Sequence, residues 1–143
     1  MLSQEEDIAY GKKSEMNLHK TIESLVGDTV EWKGGFEIFD YSNKGRTIWV
    51  ELKTRRIKHD DYPTAIIGSN KLEFCKKTEG VEYYFVYNYL DGIYYIKYDK
   101  AVFDTFEVNP EYRRGERFGC TNSPSSVVFI PTGLLKRYEP KQD

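Results

Sequence analysis

Apolar positions in this chain follow one period at the start and another afterwards. Over residues 4–26 they recur at helical spacing, with Ile8, Leu18, Ile22, Leu25 and Val26 on one stripe. Ser3 suits the N-cap, Glu5, Glu6 and Asp7 complement the helix dipole, and Gly27-Asp28 supplies a stop. Beyond that stop the period falls to two. TVEWK (29–33) and FEIFDY (36–41) read as short strands around Gly34-Gly35. Asn43-Lys44-Gly45 reads as a turn, and 46–53 as a strand with Ile48, Val50 and Leu52 on one face. A long loop containing HDDYP (59–63) follows. The spacing then predicts a second helix over 69–79, capped by Ser69 or Asn70, with Leu72, Cys75 and Lys76 on one face. Residues 82–89 and 93–98 flank Asp91-Gly92, a strong hairpin signal. A long loop is expected over 109–125, then a strand and a short helix within 126–138.

A helix between strands normally crosses over to a parallel neighbour. The pattern therefore predicts an α/β sandwich, a central mixed sheet flanked by helices. At 143 residues the chain suits a single domain, 1–143, with an adequate core.

Charge narrows the function classes. The formal net charge is −2, unlike the strongly basic balance of a protein that coats nucleic acid. Local basic strips exist all the same: Lys53, Arg55, Arg56 and Lys58, and Arg113, Arg114 and Arg117. No stretch approaches the roughly 20 apolar residues of a membrane span. The opening MLSQEEDIAYGKK lacks an apolar run after a basic region, so no signal peptide is expected. Cys75 and Cys120 stand far apart with no neighbouring His or Cys, which speaks for free thiols in an intracellular, cytoplasmic setting (the host cell, if the protein is viral).

The candidate chemistry lies at the ends of two neighbouring strands. Asp40 closes FEIFD, and Glu51-Leu52-Lys53 closes TIWVELK. Alternation puts Glu51 and Lys53 on one face and Leu52 on the other. If the segments pair as a hairpin, Asp40 approaches Glu51 across the ladder. Two carboxylates beside one ammonium group suit a hard cation such as Mg²⁺ and a phosphate bound to it. In the first helix, steps of roughly 100° per residue put Glu15 in the middle of the apolar stripe. A carboxylate there needs a partner: a buried ion pair, solvent at a frayed stripe, or a metal site floored by the sheet. His19, one turn on, has no evident set of companion zinc ligands and reads as a polar residue flanking the site.

This element order with these residues resembles the PD-(D/E)xK, or restriction-endonuclease-like, nuclease superfamily, whose core order is αβββαβ. The resemblance covers about residues 4–98 and rests on Glu15, Asp40, Glu51, Leu52 and Lys53. Phe39 stands where the motif has Pro. The look-alikes are small stand-alone phage, viral and bacterial nucleases, resolvase-like enzymes of DNA repair or recombination among them. The resemblance implies a DNA endonuclease that uses Mg²⁺ or Mn²⁺, with selectivity for DNA structure as one form of it. It implies Asp40, Glu51 and the Leu52 backbone carbonyl as metal ligands, Glu15 on the same ion or a second one, and Lys53 beside the attacking water. Arg55 and Lys71 are placed near phosphates. Arg113, Arg114 and Arg117 suggest a substrate-gripping flap, and a symmetric homodimer is one way such enzymes cut both strands. The competing function is a catalytically silent nucleic-acid-binding or assembly module on the same fold. The aromatic run YYFVYNYLDGIYYIKY (83–98) is better explained by sheet packing than by base stacking.

Overall fold

The structure is a computed structural model that describes residues 17–34, 37–112 and 125–140. Glu15, Cys120, Arg113, Arg114 and Arg117 lie outside those residues. Residues 17–26 form the described part of α1. Gly27 ends it at φ +78, donating its N–H to the Glu23 carbonyl at 2.9 Å. Glycine takes this left-handed conformation without a Cβ penalty.

The elements that follow are β1 (Glu31–Trp32), β2 (Tyr41–Ser42), β3 (Ile48–Thr54), β4 (Thr64–Gly68), α2 (Ser69–Lys76), β5 (Glu82–Tyr89), β6 (Gly92–Lys97), α3 (Lys100–Phe103), β7 (Glu107–Tyr112), β8 (Ser125–Pro131) and β9 (Lys136–Arg137). A six-stranded sheet has the order β1-β2-β3-β5-β6-β9, and a three-stranded sheet the order β4-β8-β7. β3 and β5 are parallel; the other pairs are antiparallel. The expected crossover through α2 and the expected hairpin at Asp91-Gly92 are both present.

The large sheet separates two apolar clusters. Ile22, Leu25 and Val26 of α1 pack with Val30, Tyr41, Ile48, Val50 and Val86. On the other face Phe39, Trp49, Tyr83, Phe85 and Tyr87 pack with Leu72, Phe74 and Cys75 of α2 and with Ala65, Ile67, Val128 and Ile130 of the small sheet. Alternation along β3 assigns Ile48 and Val50 to the first cluster and Trp49 to the second, as expected. Tyr83, Tyr87, Tyr89 and Tyr94 are buried, so these rings of the aromatic run serve as core.

Four local expectations need correction. The strand expected over 36–41 is not continuous: residues 37–40 bend, and pairing starts at Tyr41. The bend breaks alternation, so Phe39 joins the α2 face while Tyr41 joins the α1 face. The segment expected to be a loop after β3 contains β4, and the one expected over 109–125 begins inside β7. α2 ends at Lys76, and its N-cap is Gly68 with no side-chain cap. Ser69 instead makes a 2.6 Å Oγ–Oγ hydrogen bond with Ser126.

The β2–β3 turn is pinned by a buried side chain. Asn43 Oδ1 accepts from the Thr47 and Ile48 N–H groups at 2.8 and 3.0 Å. Its Nδ2 donates to Thr47 Oγ1 at 2.9 Å and Asp28 Oδ2 at 3.0 Å. These bonds fix the register Tyr41↔Val50 and Ser42↔Trp49. Asn43→Ala would leave two N–H groups without their acceptor, and we expect a loss of about 2–4 kcal/mol. Urea unfolding should show a lower midpoint at unchanged slope.

Candidate active site

The register that Asn43 sets carries one residue past the last paired position and places Asp40 opposite Glu51. Asp40 Oδ2 accepts the Leu52 N–H at 2.8 Å, which aims the carboxylate at β3. The Asp40 carbonyl accepts the Lys33 N–H at 2.8 Å, so the Asp40 backbone is also tied to the segment after β1. Glu51 and Lys53 pair with Phe85 and Tyr87 of β5 on the same face. The structure thus brings Asp40, Glu51 and Lys53 together.

Glu51 is only 4 % exposed. Burial, together with the adjacent Asp40 carboxylate, pushes its carboxyl up from 4.5 to about 7. The ammonium groups of Lys71 and Lys53 pull the other way. Lys71 Nζ lies 2.8 Å from Glu51 Oε2 and hydrogen-bonds the Ile38 carbonyl. That ammonium is the charged partner of Glu51 Oε2, an oxygen otherwise shut off from solvent. A buried carboxylate beside a second carboxylate suits a hard divalent cation, which takes oxygen ligands at close range.

The other expected residues are distributed as follows. Arg55 follows the last residue of β3; its backbone N–H donates to the Asn88 carbonyl at 2.9 Å. Lys71 sits in the first turn of α2 and reaches into the acid pair. His19 Nε2 is 2.7 Å from the Val30 carbonyl, and its ring meets Tyr41 edge-on at 5.3 Å. Among the described residues no helix is long and apolar enough to cross a membrane.

One cluster went unread in the sequence. Ligand atoms of His59, Asp60 and Asp91 lie within 4.8 Å of one another, close enough to hold a metal ion. Asp91 Oδ1 accepts the His59 N–H at 3.0 Å, Asp91 Oδ2 meets His59 Nδ1, and the His59 ring stacks on Tyr94 at 4.3 Å. Burial works to raise the Asp91 carboxyl, and the His59 hydrogen bonds outweigh it and hold it low. HDDYP and the Asp91 turn are separate in sequence, and only the fold joins them.

The family model described as "Phage putative PDDEXK endonuclease" matches residues 4–137. The chain belongs to this family. That span covers Glu15, Asp40, Glu51 and Lys53, the residues on which the sequence resemblance rested. No curated protein and no solved structure matches the chain. The mixed sheet with few helices is compatible with an α/β PDDEXK-like fold.

Proposed function

We propose that this PDDEXK family member is a metal-dependent DNA endonuclease with its active site at Asp40, Glu51 and Lys53. One observation carries the reading: two carboxylates converge on one sheet face, the buried one with an ammonium group at 2.8 Å. We read α1, β1, β2, β3, α2 and β5 as the αβββαβ core of a single domain, with β4 inserted before α2.

Asp40, Glu51 and the Leu52 carbonyl would hold Mg²⁺ or Mn²⁺, with Glu15 on the same ion or a second one. A strand residue's N–H and C=O point the same way, so the Leu52 carbonyl faces Asp40 as its N–H does. When bound, the ion polarises the scissile phosphate and acidifies a coordinated water. Lys53, on the same face, orients the attacking water and offsets charge building on the phosphate oxygens. Arg55, Lys71, Arg113, Arg114 and Arg117 contact the nucleic-acid backbone and fix its position, since phosphate contacts set register rather than sequence. A homodimer would cut both strands. The setting is the cytoplasm, of the host where a phage supplies the protein. The second reading, a silent binding module, is disfavoured by the cost of keeping Glu51 buried beside Asp40 without catalytic use.

The test incubates the protein with plasmid, single-stranded DNA, branched DNA and RNA, with Mg²⁺, Mn²⁺ or EDTA. We expect internal cuts in DNA with either ion and none with EDTA. Lys53→Ala should slow cleavage by about a hundredfold to a thousandfold, the usual loss for one stabilising donor. Binding of every substrate without cleavage would favour the silent module.

A further inference from the structure

Lys71 is an odd residue for its place. It lies in the first turn of α2, where the helix dipole disfavours a cation, and no acidic residue shares that turn. Its ammonium nonetheless touches both segments that carry the acids: Glu51 Oε2 at 2.8 Å and the Ile38 carbonyl two residues before Asp40. The side chain is 19 % exposed, and its ammonium lies 5.6 Å from the Phe39 ring centroid. The ammonium is thus held by a charged contact with Glu51 and by a hydrogen bond to the Ile38 carbonyl. Lysine has a flexible four-carbon stem, so the group can leave without moving the helix.

Resting on the metal-site reading above, we propose that Lys71 is a built-in counter-ion, which offsets Glu51 in the metal-free protein and is displaced when a divalent cation takes the same oxygen. The two cations compete for Glu51 Oε2. Displacement turns the ammonium outward, where a substrate phosphate becomes its next partner. Metal entry and backbone binding are coupled through one side chain, and Lys71 acts as a positioning residue.

The experiment counts free Mn²⁺ by electron paramagnetic resonance during titration of the full chain at pH 8, without nucleic acid. Wild type, Lys71→Gln, Lys71→Met and Lys71→Arg are compared, with Glu51→Gln as the site control. The neutral variants should bind Mn²⁺ about tenfold more tightly, as expected when a near-contact cation is removed, and Lys71→Arg should stay near wild type. Metal-free Lys71→Gln should melt lower than wild type and recover with Mn²⁺. Using two neutral variants keeps the test decisive if one fails to fold. Equal or weaker affinity in the neutral variants, with wild type binding normally, overturns the counter-ion while leaving the metal site standing. Absence of binding in every protein, or binding that survives Glu51→Gln unchanged, overturns both.

Discussion

Asp40→Asn and Glu51→Gln, each made alone, should lower the single-turnover rate of DNA cleavage at least about a thousandfold, a loss of about 4 kcal/mol of transition-state stabilisation. The reason lies in the convergence of the pair. Asp40 is held to β3 through Leu52, and Glu51 is buried beside it. On the proposed reading, removing either charge would take one carboxylate ligand from the ion. Folding and catalysis should separate in Glu51→Gln. This substitution removes a carboxylate that burial and Asp40 make costly at neutral pH, but it also takes away the partner of the Lys71 ammonium, so the two effects on stability oppose each other. An inactive protein that still unfolds in one cooperative transition is the expected result, checked by cleavage on a labelled duplex and by thermal unfolding of the same preparation.

The second large effect is on stability. The Glu51 carboxyl titrates at about 7 when folded against 4.5 unfolded, because of burial and the Asp40 charge. The folded protein therefore holds this proton more tightly. Its contribution is fully present below pH 4.5, is lost as pH rises to about 7, and levels off above that. The span corresponds to about 3 kcal/mol. Other carboxylates titrate too, and Asp91 shifts the opposite way, so the readout is the difference between wild type and Glu51→Gln. That difference should grow from pH 4.5 to 7 in EDTA. Saturating Mn²⁺ at pH 8 should restore wild type by about 2.7 kcal/mol at a hundredfold excess over Kd and leave Glu51→Gln almost unmoved. Denaturant titrations across pH check both halves.

The parts of the fold readable from sequence are those governed by local period. Alternation along β3 sets Glu51 and Lys53 against Val50 and Leu52, and Asp91-Gly92 marks its hairpin. The α2 crossover follows from handedness and connection rules. What escaped reading depends on contacts distant in sequence. Thr64–Gly68 is a strand because Val127, Val128, Phe129, Ile130 and Pro131 pair with it; alone, its five residues are too short to show a period. FEIFD looks like a strand because Phe36 and Ile38 flank Glu37 and strand-forming residues dominate it. Yet Phe39 gains more among Trp49, Phe74, Tyr83 and Phe85 than alternation would give it, and the chain bends to put it there. The same bend leads into Asp40, so the misread strand ends at the acid proposed for the site. Lys71 was legible as a lysine at a helix start, but its reach to Glu51 was not, because α2 and β3 meet only in the fold.

The most direct test is a crystal of the full chain soaked in Mn²⁺, with data collected for the metal's anomalous signal. The account predicts a peak within about 2.0–2.3 Å of carboxylate oxygens from both Asp40 and Glu51. A peak confined to His59 and Asp91, with none between Asp40 and Glu51, would contradict it.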